Sequence, residues 1–140
     1  ELREELERMA REAGIHQKVM FTGFRDDLQA LYSAFDIYVH SSVEGGGETI
    51  SFAVQQALAQ ELPVVVTRVA DVAENVREGV TRFVVPDRNA PALAGKMMLL
   101  VQDSSLRRTM GVASRAYLLE RFTTERMVVA VEAIYRKVLS

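Results

Sequence analysis

The chain has 140 residues, a formal net charge of −2 and 49% hydrophobic residues. This is the size of one domain that buries about 70% of its unfolded surface, so a disordered chain is excluded. The near-neutral charge gives no reason for nucleic acid as a general partner, and the absence of cysteine excludes disulfides and thiolate metal sites, which fits a reducing compartment.

No apolar run reaches the roughly 18 residues of a membrane span. The chain opens on Glu1-Leu2-Arg3-Glu4-Glu5-Leu6, a helical pattern rather than a signal peptide. That start inside a helix suggests a cut from something longer. Leu2, Leu6, Met9 and Ala13 keep helical spacing, with Glu4–Arg8 and Glu7–Arg11 pairs expected on the solvent face and Gly14 as the stop.

Val19-Met20-Phe21 reads as a short strand closed by Thr22-Gly23. Asp26 or Asp27 caps a helix carrying Leu28, Leu31, Tyr32 and Phe35. Ile37-Tyr38-Val39 is the next strand, and Ser51 to Ala59 a buried helix. Pro63-Val64-Val65-Val66-Thr67 is β-branched and apolar on both faces, as a central parallel strand requires. A short helix is expected from Val72 to Glu78, stopped by Gly79, and then a strand from Arg82 to Val85 ended by Pro86. Three helices follow, over about 90–101, 105–121 and 124–139. Alternating strands and helices predict a Rossmann-like α/β fold: a parallel sheet with flanking helices, right-handed crossovers and a helical C-terminus.

Ligands of such sheets bind beyond the carboxyl ends of the strands. Loops 22–27, 40–50 and 67–73 leave those ends, which predicts one cleft. The stretch from His40 through Glu44, Gly45, Gly46, Gly47, Glu48, Thr49 and Ile50 to Ser51 is the richest of them. It runs from a strand, through glycines and two carboxylates, into a helix. Free backbone N–H groups and the positive end of a helix dipole make such a junction an anion site. The carboxylates beside it suit sugar hydroxyls, so a nucleoside diphosphate sugar fits the pattern. Read plainly, Glu44 is a solvated loop residue, His40 a hydrogen-bonded structural histidine at the cleft edge, and His16 a surface turn residue. Met97, Met98 and Met127 read as core filling, and no Asp-x-Asp pair points to a metal.

The order of these segments resembles the C-terminal, donor-binding domain of the retaining family-four (group 1) glycosyltransferases, which have the glycosyltransferase-B fold. Val19 to Phe24 is similar to that family's strand and glycine turn. Asp36-Ile37-Tyr38-Val39-His40-Ser41 is similar to its Ala-Asp, strand, Pro-Ser segment. Glu48 to Ala59, followed by Pro63-Val64-Val65, resembles its two acids separated by seven residues, then Pro-Val-Val. Glu74-Asn75-Val76 with Glu78-Gly79 resembles the Glu-Ile-Val and Asp-Gly step, and residues 103–123 resemble its closing helices.

The resemblance implies roles for matched positions. Glu48 is the first acid, orienting the donor sugar. Gly47, Thr49, Ile50 and Ser51 offer the donor phosphates the helix start. Gln56 stands where the second acid meets the ribose hydroxyls, Glu74 supports the site, and Thr22 and Gly23 lie near the nucleobase. His40 replaces a proline at the cleft. Gln56, Glu61, Ala70-Asp71 and Arg82 depart from the family pattern, Gln56 by losing a charge and Asp71 by bringing one towards a diphosphate.

On the same basis, the chain is a single partial domain, residues 1–140, without the family's first two strands and its N-terminal acceptor domain. The missing strands lie between the 19–21 and 37–39 strands, so re-pairing, strand exchange or a homo-oligomer is expected. The implied parent is a hexosyltransferase-type enzyme of polysaccharide or glycolipid synthesis. It needs no metal or other cofactor and works in the cytoplasm, with peripheral contact at the inner membrane face. Two other readings stand beside it: a non-catalytic nucleotide-sugar-binding module, and a self-associating structural fragment. A flavodoxin-like signalling domain is disfavoured because no strand ends in an acidic cluster.

Overall fold

The computed structural model of the chain describes residues 2–45, 51–69 and 77–139. Helix α1 (Leu2–Glu12) precedes a 3₁₀ turn at His16–Lys18, then α2 (Leu28–Ser33) and β1 (Tyr38–His40) follow. Next come α3 (Phe52–Ala59), β2 (Val64–Thr67), β3 (Arg82–Val85), and helices α4 (Ala90–Gln102), α5 (Ser104–Arg121) and α6 (Thr124–Leu139). The three strands form one parallel sheet in the order β1-β2-β3. Tyr38 is in register with Val64, and Val64 with Arg82.

Successive residues of a strand face opposite sides, and the core divides accordingly. Val64 and Val66 pack with Tyr32 of α2, Val54, Ala57 and Leu58 of α3, and Leu62. Val65 turns the other way, to Phe83, Leu100 of α4 and Met110 of α5. Helices therefore cover both faces of the sheet. All four residues of β2 are buried, as its apolar run predicts. The helix ends follow sequence rules: Asn89 accepts from the Ala92 amide and Asp103 from the Leu106 amide, with Pro91 in the first turn of α4. Gly14, at φ +68, closes α1, where the Ile15 amide donates to the Ala10 carbonyl.

Four expectations are corrected or refined. Val19-Met20-Phe21 forms no strand: the backbone is extended at Val19, yet no ladder partner stands beside it among the described residues. Met20 is 85% exposed and Phe24 97%. Extended backbone becomes a strand only by hydrogen bonding to a neighbour, and the described sheet stops at β1. Helix α1 carries the ion pairs Arg3–Glu7 (2.8 Å) and Arg8–Glu12 (2.9 Å) rather than Glu4–Arg8 and Glu7–Arg11. Exposed pairs differ little in energy, so each arginine has a choice of acids. Asp27 is the N-cap of α2 but its carboxylate does not cap; it pairs with Arg25 instead. The helix expected over 72–78 lies outside the described residues up to Val76.

Candidate functional site

Because the strands are parallel, His40, Thr67 and Val85 end at the same edge of the sheet. The His40 ring sits between two hydroxyls, with Tyr38 Oη 3.4 Å from Nδ1 and Ser42 Oγ 3.1 Å from Nε2. It stacks on the Tyr38 ring at an interplanar angle of 20°. Both ring nitrogens are thus engaged, which is the arrangement of a structural histidine.

The Thr67 hydroxyl is 4% exposed and donates to the Ser42 carbonyl oxygen at 2.5 Å. It ties the segment leaving β1 to the end of β2. On the far side, the Glu44 amide donates to Asp87 Oδ2 at 3.2 Å, and the same carboxylate lies 3.6 Å from Arg88 Nε. The Arg68 amide continues the β2–β3 ladder by donating to the Val85 carbonyl oxygen at 2.7 Å. The segment after β1 is therefore bonded at Ser42 to the end of β2 and at Glu44 to the loop after β3.

Where the chain is again described, Ser51 is buried and caps α3, its hydroxyl accepting from the Val54 amide at 3.4 Å. The amides of Phe52 and Ala53 open the helix, where intrahelical acceptors do not exist. Gln56 is exposed on α3, while Val54, Ala57 and Leu58 face the core. Thr22 and Gly23 lie beside α1. Gly23 has φ +65, and its open side faces Arg3 Nη1 of α1, whose guanidinium also donates to the Phe21 carbonyl oxygen. Gly47, Glu48, Thr49, Ile50, Asp71 and Glu74 lie outside the described residues.

The structure thus joins the start of the loop after β1 to the end of β2 and to the loop after β3, which carries Asp87. The sequence signals for Thr67 and Asp87 are slight: a polar residue ending a valine run, and an acid following the proline that ends β3.

A neighbouring departure is also explained locally. Arg82 is buried at the start of β3, and burial lowers its guanidinium pKa, against the opposing effects of Tyr117 and Glu78. Position 82 is thus part of the packing between β3 and α5, away from the edge that holds His40.

Residues 1–103 match the family described as glycosyl transferases group 1. The chain belongs to the group 1 glycosyl transferases. A curated relative, the N-acetyl-alpha-D-glucosaminyl L-malate synthase of Bacillus anthracis, is 28% identical over 125 residues, 89% of this chain and 32% of that protein. Anabaena Alr3699/HepE, solved in complex with UDP, is 25% identical, with a TM-score of 0.85 over 94% of this glycosyl transferase chain and 36% of the other. The fold is also that of the C-terminal domain of a group 1 family glycosyl transferase (LpcC) from Francisella tularensis. That match has a TM-score of 0.79 at 22% identity, over 88% of this chain and 63% of the other. The chain spans about a third of the length of the curated relatives it matches.

Proposed function

We propose that this chain is the donor-binding part of a retaining glycosyltransferase, moving a sugar from a nucleoside diphosphate to a hydroxyl acceptor. The observation that carries the reading is the junction at the carboxyl edge of the sheet. There the loop after β1 is anchored at Ser42 and Glu44, and in the sequence the glycines and Glu48 separate it from the Ser51-capped helix α3. HepE, of similar fold, was solved with UDP and with UDP-glucose, which supports a nucleotide sugar as the donor class.

On this reading, the amides of residues 49–51 and the α3 dipole stabilise charge growing on the departing diphosphate. Glu48 orients the sugar through its hydroxyls rather than acting as a nucleophile. Gln56 accepts from the ribose, Glu74 supports the loop beside it, and the Thr22-Gly23 turn borders the base. Gly47 lets the backbone approach the phosphates closely. The chemistry requires no metal. Residues 1–140 form one partial domain, and a separate domain supplies the acceptor site. The parent works at the cytoplasmic membrane face on a glycan or glycolipid. Among the described residues no helix is long and apolar enough to cross a membrane.

The second reading is a binding module without turnover, and it rests on Gln56 and Asp71, which replace an acid and a glycine of the family pattern. Ligand-observed NMR titration with UDP, GDP and ADP tests the shared part of both. Binding of one nucleotide is expected, abolished by Ser51→Pro, which removes an amide donor. Glu48→Ala weakens binding of the nucleotide sugar more than that of the bare nucleotide. Silence from all three nucleotides removes the donor-site reading for this chain.

A further inference from the structure

We infer that Thr67 and Asp87 are positioning residues for donor binding, tying residues 42–45 to the end of β2 and to the loop after β3. The inference rests on the donor-site reading above and names how that site is held.

Two independent bonds support it, one from the end of β2 and one from the loop after β3. Thr67 is buried, and its hydroxyl donates to the Ser42 carbonyl, which a valine of equal shape leaves without that donor. Asp87, 43 positions along the chain from Glu44, accepts the Glu44 amide. Ordering loop backbone costs conformational entropy, and a loop fixed beforehand has borne that cost already. Two such bonds restrict residues 42–45 before any ligand arrives, and less ordering remains to be done on binding. The charge of Asp87 is partly balanced by Arg88 at 3.6 Å, so a carboxylate is tolerated near a site for anions. A neutral acceptor at position 87 therefore serves the same purpose, which makes Asp87→Asn the informative rescue.

The test uses this chain, with amide hydrogen exchange and UDP titration on Thr67→Val, Thr67→Ser, Asp87→Ala, Asp87→Asn and, as a control, Arg88→Ala. Loss of one such bond is worth about five-fold in an equilibrium. Exchange at Glu44 is expected to rise about five-fold in Asp87→Ala and to recover in Asp87→Asn, while Arg88→Ala leaves it unchanged. UDP dissociation constants are expected to rise about five-fold in Asp87→Ala and Thr67→Val, and to recover in Asp87→Asn and Thr67→Ser. Unchanged exchange in Asp87→Ala overturns the clamp. Faster exchange with unaltered UDP affinity overturns its link to the donor. If the unsubstituted chain binds no UDP, the donor-site reading falls and the positioning role with it, whereas exchange alone still reports whether the tether exists. Asp87 is at the surface, so its two variants decide the matter even if Thr67→Val does not fold.

Discussion

The carbonyl oxygen of Glu61 occupies the space beside Gly111: a Cβ built on Gly111 would lie 2.0 Å from it. Helix α5 therefore approaches the turn between α3 and β2 more closely than any side chain allows. The contact is with backbone, which cannot swing away as a side-chain tip can. Gly111→Ala is expected to lower stability by about 3 kcal/mol, at the upper end of overpacking costs. Urea denaturation of the two proteins measures it.

Glu61 itself has φ +57, a left-handed conformation that costs a non-glycine residue about 1 kcal/mol. Glu61→Gly relieves that cost but gives back part of it through a more flexible unfolded chain. The substitution also removes the exposed ion pair with Arg115 at 3.3 Å, a bond of little worth. The net expectation is a gain of about 0.5 kcal/mol, read as a higher denaturation midpoint, with Arg115→Ala nearly neutral.

Core and surface helices should respond in opposite ways. Leu100 of α4 is fully buried against Val65 and Met110, and Leu100→Ala is expected to cost about 3 kcal/mol. Helix α6 has no buried residue among those described, and Ile134 is 64% exposed. Ile134→Ala should stay within about 0.5 kcal/mol in this chain. Equal losses at both positions would mean that α6 is packed in solution against something else.

The Arg25 guanidinium beside Asp27, by hydrogen bonding first, holds that carboxyl below the usual carboxylate range. A lowered folded-state pKa means that the pair contributes above the ordinary carboxylate range and loses its contribution as pH falls through the lowered value. NMR titration of Asp27 should show a midpoint below that of an isolated carboxyl. Arg25→Ala should return it to the ordinary range.

Local rules fixed much of this protein. The run of three valines in β2, buried throughout, declares a central strand because only a site covered on both faces accepts such a run. Asn89, Asp103 and Gly14 mark helix ends because capping depends on neighbours a few residues away. The start of α3 likewise shows in the sequence, because Ser51 caps it through the nearby Val54 amide. Whatever depended on distant partners stayed hidden. Val19 to Phe21 has strand composition, but a strand exists only beside another, and none stands there among the described residues. The choice by Arg8 of Glu12 over Glu4 in α1 turned on small surface energies. The bond from Glu44 to Asp87 spans 43 positions, and only the parallel sheet, by bringing β1, β2 and β3 to one edge, decided that these residues meet.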